Sequence, residues 1–186
     1  MSRENCAECT RPISECYCSA IVDIVTPIKV IIIQHPKEVQ HPYNTGRIAH
    51  RCLKNSELII AEQLDNETLG QLTQKDSVLL FPEMTWLAPS QAHTETTKQL
   101  IVIDATWKKA KKILHLNPAL QSLPRMSFTR QNESEYEIRK TSIADGLATI
   151  ESIAEALQQL APETPTKALL KPFHKMVSLA QRYTPD

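Results

Sequence analysis

Apolar residues in this chain fall in short, nearly unbroken runs. Runs at 28–33, 57–61, 77–81, 99–103 and 125–128 are each four to six residues long, and most are dominated by Ile, Val and Leu. Runs of that length bounded by polar residues predict strands buried on both faces, the pattern of a parallel sheet. Between them, helical spacing predicts helices over 45–53, 66–72 and 106–115. Strands alternating with helices predict an α/β fold with a mostly parallel sheet flanked by helices. Beyond residue 147 the pattern turns helical. Ile150, Ile153, Ala154 and Leu157 share one face of a helix over 150–160, for which Thr149 is the expected N-cap. A last helix is expected over 166–183, interrupted near Pro172, whose ring removes a helix donor.

Composition narrows the function more than the fold. The 186 residues, 41% of them hydrophobic, suffice for one domain with a real core. Lys and Arg total 21 and so do Asp and Glu, giving a net charge of zero. Any affinity for nucleic acid must therefore come from local patches. Two such patches exist. Residues 104–115 carry four lysines against one aspartate, and residues 167–182 carry three lysines and one arginine with no acid. The first residues have no apolar signal core, and no run reaches transmembrane length, so the expectation is a cytoplasmic protein with no membrane association. Oligomeric state stays open. Only Gly46, Gly70 and Gly146 are glycines, which excludes a P-loop or a dinucleotide Gly fingerprint.

Cys6, Cys9, Cys16 and Cys18 place four thiols within thirteen residues, spaced C-x2-C-x6-C-x-C. Four thiolates on a tetrahedral zinc ion (Zn2+) would staple a segment too short to build its own core. Two disulfides or unrelated thiols are the other readings, and the lack of a secretory signal disfavours disulfides. Residues 1–20 are read as a small zinc-binding segment and 21–186 as the main domain. Cys52 reads as a core residue.

Asp104-Ala105-Thr106-Trp107 sets a carboxylate at the end of an apolar strand where a helix opens, the position at which open α/β sheets hold ligands. The next turns carry Lys108, Lys109, Lys111 and Lys112, either a solvated helix face or a landing surface for phosphate. Lys108, Lys112 and His115 share one stripe. Trp107 lies on a stripe with Ala110 and Leu114, which favours a core position over contact with a ligand. Thr106 either caps the helix or meets a substrate. Asn44 or Thr45 is the expected cap of the 45–53 helix, and Arg47 one turn in could face phosphate.

On these residues the sequence resembles the DTW-domain family, whose members are similar to tRNA-uridine aminocarboxypropyltransferases related to the knotted SPOUT-class RNA enzymes. The resemblance runs through the four cysteines, His35-Pro36-Lys37-Glu38, Asn44-Thr45-Gly46-Arg47, Leu79-Leu80-Phe81-Pro82 and Asp104-Ala105-Thr106-Trp107. It continues through Tyr136-Glu-Ile-Arg139-Lys140 and Leu147-Ala148-Thr149-Ile150-Glu151. Ala105 stands where glycine is common. Ala148 stands where serine often occurs.

The resemblance implies a SPOUT-like fold with a C-terminal trefoil knot. It implies transfer of the 3-amino-3-carboxypropyl group of S-adenosylmethionine to N3 of a tRNA uridine, releasing methylthioadenosine. Asp104 would be the catalytic carboxylate. Leu80, Phe81, Pro82, Asp104, Thr106, Leu147, Thr149 and Glu151 would line the S-adenosylmethionine site. Arg47, Lys108, Lys109, Lys111, Lys112 and Arg139 would meet RNA. A SPOUT-type methyltransferase and a non-catalytic zinc-bearing RNA-binding protein are the alternatives.

Overall fold

A computed structural model describes residues 4–82, 87, 94–127 and 147–181. Its centre is a five-stranded sheet in which every pairing is parallel. The strands are β1 (Lys29–Gln34), β2 (Ser56–Ile60), β3 (Ser77–Leu80), β4 (Gln99–Asp104) and β5 (Arg125–Met126), ordered β2-β1-β4-β3-β5. The helices are α1 (Thr45–Cys52), α2 (Asn66–Leu72), α3 (Trp107–Leu116), α4 (Pro118–Gln121), α5 (Thr149–Leu160), α6 (Thr166–Leu169) and α7 (Lys171–Gln181).

Side chains alternate across a strand, so a continuous apolar run feeds two cores at once. Val30 and Ile32 of β1, with Leu100 and Val102 of β4, pack beneath α1, α5 and α7 together with Cys9 and Tyr17 from the N-terminal segment. Ile31, Ile33 and Ile101 point the other way, into Ala110, Ile113 and Leu114 of α3 and Leu120 of α4. The result is a three-layer α/β arrangement.

Local signals fix the helix starts. Asn44 Oδ1 accepts the Arg47 N–H at 2.9 Å and opens α1, while Asp65 Oδ1 accepts the Thr68 N–H at 2.7 Å and opens α2. Pro118 at the first position of α4, where no helical N–H is needed, starts a short helix that periodicity alone does not predict.

Four expectations need correction. β2 is an edge strand, half-exposed along its length rather than buried on both faces, because β1 alone pairs with it. The C-terminal helix is interrupted as expected, into α6 and α7, but the break falls at Leu170, and Pro172 itself sits in the first turn of α7, where proline is tolerated. The N-cap of α5 is Ala148, and Thr149 is its first helical residue. Trp107 is 49% exposed, because the first residue of α3 projects past the strand ends while Ala110 and Leu114 behind it are buried. Strand residue 128 and helix residues 182–183 lie outside the described residues. Among the described residues, no helix is long and apolar enough to cross a membrane.

Asn117, fully buried between α3 and α4, shows how one polar side chain fastens this layer. Its Oδ1 accepts the Leu64 N–H at 2.8 Å, and its Nδ2 donates to the carbonyls of Glu62 at 3.0 Å and Ile113 at 2.6 Å. Asn117→Ala would strand the buried Leu64 N–H and leave the Glu62 carbonyl without this partner, while the Ile113 carbonyl keeps the Asn117 backbone N–H. We therefore expect a loss of about 2 kcal/mol in stability, or roughly 4–8 °C in Tm at this chain length. Thermal unfolding checks this, and a loss under ~1 kcal/mol would refute it.

Candidate functional site

The strand connections run outward in opposite directions from the centre of the sheet. The chain leaves β1 toward β2 on one side, and leaves β4 toward β5 beyond β3 on the other. The carboxyl ends of β1 and β4 therefore flank the switch point at which open α/β sheets bind ligands. The two residues there are Gln34 and Asp104, register partners in the sheet.

Asp104 is only 8% exposed, and both its carboxylate oxygens are engaged. Oδ2 accepts from Gln34 Nε2 at 2.6 Å, and Oδ1 accepts from the Thr149 hydroxyl at 2.5 Å. Burial pushes its pKa above the usual carboxylate range, against the lowering effect of those two donors. Gly46 explains the tight seat. A Cβ there would overlap Asp104 Oδ2 and stand 2.7 Å from Cγ, so only glycine lets the first turn of α1 approach the carboxylate.

Gln34 Nε2 also donates to Asn44 Oδ1 at 2.8 Å. Asn44 in turn donates to the Glu38 carbonyl at 3.1 Å. The polar network thus joins β1, β4, α1 and α5. His35 follows Gln34 and is buried. Its Nδ1 accepts the Lys37 N–H at 3.0 Å, so the ring proton sits on Nε2 and is donated to Glu62 Oε1 at 2.7 Å.

The remaining expected site residues divide by position. Phe81 is buried just past β3 and meets Trp107 edge-to-face, ring centroids 5.9 Å apart, which leaves Trp107 as a half-exposed aromatic wall beside Asp104. Leu80 and Pro82 flank Phe81 and are half-buried. Thr106 is the exposed N-cap of α3, and its hydroxyl makes no cap hydrogen bond. Leu147 is exposed, whereas Glu151 is buried, its Oε2 accepting the Ala148 N–H at 2.6 Å. The Glu151 contact stabilises the helix start.

The basic residues are not equivalent. Lys109 pairs with Glu38 at 2.5 Å and Lys112 with Glu62 at 2.7 Å, while Lys108 and Lys111 are exposed. Lys112, then His35, holds the Glu62 carboxylate below its usual range. Arg47 is half-buried on α1, its Nε enclosed without a hydrogen-bond partner; burial raises the Tyr17 hydroxyl above its usual range, against the lowering effect of the Arg47 charge. Arg139 lies outside the described residues.

The Sγ atoms of Cys6, Cys9, Cys16 and Cys18 all lie within 4.8 Å of one another, with the 6–18 and 9–16 pairs at 3.8 Å. All four are free thiols, and Cys52 is buried in the core. A tetrahedron with zinc–sulfur bonds near 2.3 Å has sulfur–sulfur edges of about 3.8 Å, so the donor set fits zinc. Backbone hydrogen bonds from Cys9 and Glu8 hold the Cys6 thiol down to about 6, and burial pushes Cys18 up to about 12. Arg51 Nη1 donates to Cys18 Sγ at 3.2 Å and its Nη2 to Glu8 at 3.2 Å, setting a cation against the cluster.

Sequence reasoning gave no site role to Gln34, Gly46, Arg51 or the acids that hold Lys109 and Lys112, although Gly46 and Glu38 stand in motifs that carry the resemblance. The available signals were a glutamine closing an apolar strand and a glycine opening a helix in a chain with only three.

With this geometry in place, comparison with known proteins is informative. The chain is 26% identical over 94% of its length to tRNA-uridine aminocarboxypropyltransferase 2 of Drosophila melanogaster, spanning 74% of that protein. It is 26% identical over 97% of its length to tRNA-uridine aminocarboxypropyltransferase A of Arabidopsis thaliana, spanning 82% of it. It is also 26% identical over 95% of its length to tRNA-uridine aminocarboxypropyltransferase 2 of Mus musculus, of which it spans 63%. No solved structure matches. Residues 3–181 match the DTW domain, and the chain belongs to the DTW domain family.

Proposed function

We propose that this protein is a tRNA-modifying transferase that moves the 3-amino-3-carboxypropyl group of S-adenosylmethionine to N3 of a tRNA uridine in the cytoplasm. The observation that carries this reading is a buried carboxylate, Asp104, at the switch point of a parallel sheet in a chain that matches its family over residues 3–181. The relatives' shared name supplies the reaction class.

When bound, the sulfonium donor supplies an electrophilic carbon next to a good leaving group. The protein must orient the uracil and accept the N3 proton. Asp104, held on both oxygens and raised in pKa by burial, suits that second task. Leu80, Phe81 and Pro82 at the end of β3 and Thr106 after β4, together with Leu147, Glu151 and the backbone but not the hydroxyl of Thr149, are proposed to form the donor site. A SPOUT-like C-terminal knot belongs to the same reading. The described ends agree with it only in placing β5 at the sheet edge and the start of α5 against Asp104 at the sheet centre.

The test is nucleoside mass spectrometry of tRNA incubated with the protein and S-adenosylmethionine. Aminocarboxypropyl-uridine and methylthioadenosine should accumulate together. S-adenosylhomocysteine with a methylated base would replace this reading by a methyltransferase. In the same assay Asp104→Asn should abolish transfer with donor affinity near normal. Retention of more than about a tenth of turnover, a barrier change under ~1.4 kcal/mol, would remove Asp104 from the chemistry.

We also propose that Cys6, Cys9, Cys16 and Cys18 hold one structural zinc. Four thiolates around Zn2+ leave two net negative charges, which Arg51 partly offsets. Protein purified without added metal should carry near-stoichiometric zinc by elemental analysis. A chelator should release it, expose four titratable thiols and lower Tm. Metal-free protein with the same Tm and freely reacting thiols would rule the site out.

For RNA, we propose that Lys108 and Lys111 contact phosphate, with Arg47, Arg139, Lys109 and Lys112 contributing. Lys109 and Lys112 already face Glu38 and Glu62, so their contribution is the smaller. Changing Lys108 and Lys111 together to Ala should lower the slope of log tRNA affinity against log salt by about two. Filter binding at several salt concentrations reads this, and an unchanged slope would move the RNA surface to residues 167–182.

A further inference from the structure

The hydrogen bonds around Asp104 can be read in order from a donor whose direction is fixed. The backbone N–H of Arg47 points at Asn44, so the atom it meets must be the amide oxygen, Oδ1. The Asn44 Nδ2 on the other side meets the carbonyls of Glu38 and Val39, at 3.1 and 3.4 Å, which accept only. Asn44 is thus locked in one orientation. The group of Gln34 that lies 2.8 Å from Asn44 Oδ1 must then be its donor, Nε2. The same nitrogen lies 2.6 Å from Asp104 Oδ2. A proton on Oδ2 would face an N–H proton at that distance, so Oδ2 is an acceptor at all times. Gly46 closes the other approach to Oδ2.

Only Oδ1 is left to gain a proton, and Oδ1 does not stand open. The Thr149 hydroxyl lies 2.5 Å from it. Thr149 is the more exposed member of the pair, half-exposed where Asp104 is buried. Thr149 is not spent on the helix. Ala148 is the N-cap of α5, and Glu151 satisfies the Ala148 N–H.

From this geometry, and resting on the aminocarboxypropyl-transfer reading above, we infer that Thr149 is the catalytic residue that touches the uridine, relaying the N3 proton to Asp104 Oδ1. Gln34 and Asn44 are positioning residues that keep Oδ2 unprotonated. In the step, the uracil N3–H bond breaks and N3 bonds to the side-chain carbon of the sulfonium donor. The carbon–sulfur bond breaks with its electron pair retained by the thioether. The N3 proton passes to Thr149 Oγ1 as the hydroxyl's own proton passes to Asp104 Oδ1. Charge balances, because the cation is neutralised at sulfur while the carboxylate becomes a carboxylic acid. Of the charges acting on Asp104, Glu38 disfavours its ionised form and His41 favours it; Lys109 faces Glu38.

Three variants test the relay: Thr149→Val, which keeps the shape and removes the hydroxyl; Thr149→Ser, which keeps the hydroxyl; and Gln34→Glu, which replaces the donor at Oδ2. Single-turnover transfer, equilibrium binding of S-adenosylmethionine and of tRNA, and Tm are measured for each. The hydroxyl-free variant should lose at least about a hundredfold in rate, and the serine variant should stay within about tenfold of wild type. Donor and tRNA binding should hold in both. Gln34→Glu should also lose rate with binding kept, since a proton is then shared at Oδ2.

Full rate in Thr149→Val would overturn the relay. So would equal losses in Val and Ser variants of wild-type Tm, or loss of donor affinity in step with rate, which would make Thr149 a donor-binding group. If wild-type protein gives no aminocarboxypropyl-uridine at all, the functional reading itself fails and the relay with it. An active wild type with an unimpaired Val variant removes the relay alone.

Discussion

A carboxylate buried at the junction of four elements is costly unless its oxygens are hydrogen-bonded, and that constraint organises this molecule. Asp104 ends β4, yet its two partners come from residues 70 and 45 positions away in sequence. Gln34 brings the end of β1 to it, Thr149 brings the start of α5, and Gly46 lets α1 close over it. Losing any one partner leaves a buried charge half-satisfied, which is costlier than never having placed it there. The hydrogen bonds hold the sheet's central strand ends together, and they decide which oxygen can accept a proton.

Charge follows the same economy outside that centre. A helix with four lysines in five positions would be an RNA surface by composition alone. The fold instead brings Glu38 from the turn after β1 and Glu62 from just past β2 onto Lys109 and Lys112. These pairs are partly exposed and contribute little stability. Their consequence is orientation: the positive potential that remains is carried by Lys108 and Lys111, close to the start of α3 and to Trp107. Glu62 serves twice, since it also receives the His35 ring proton and so fixes the turn leading away from Gln34.

The strands were legible because parallel strands covered on both sides must be continuously apolar, and Val30 to Ile33 or Leu100 to Ile103 admit no other economical reading. The edge position of β2 was not, because edge and centre differ only in what pairs with them. Asp104 could be singled out from its place after an apolar run. Gln34 closes an apolar run in the same way, but its role depends on a partner far along the chain. The cap of α5 was misread for the same reason: Thr149 obeys the local preference for a cap, but a buried carboxylate from β4 takes its hydroxyl, and Glu151 covers the vacated amide. Trp107 sits at helical spacing with core residues, and only its overhang beyond the sheet exposes it.

The cysteine segment and the carboxylate are connected through one short helix. α1 has eight residues, so it spans about 12 Å. Gly46 near its start sits against Asp104. Arg51 near its end donates to Cys18, and Cys9 and Tyr17 pack into the same core as Ile48 and Ala49. A metal that orders residues 6–18 would therefore fix the far end of the helix whose near end seats the carboxylate. A segment without a core of its own would gain its order from such a metal and pass it on as position. The four cysteines and Asp104 are thus tied to the two ends of one helix without sharing any contact.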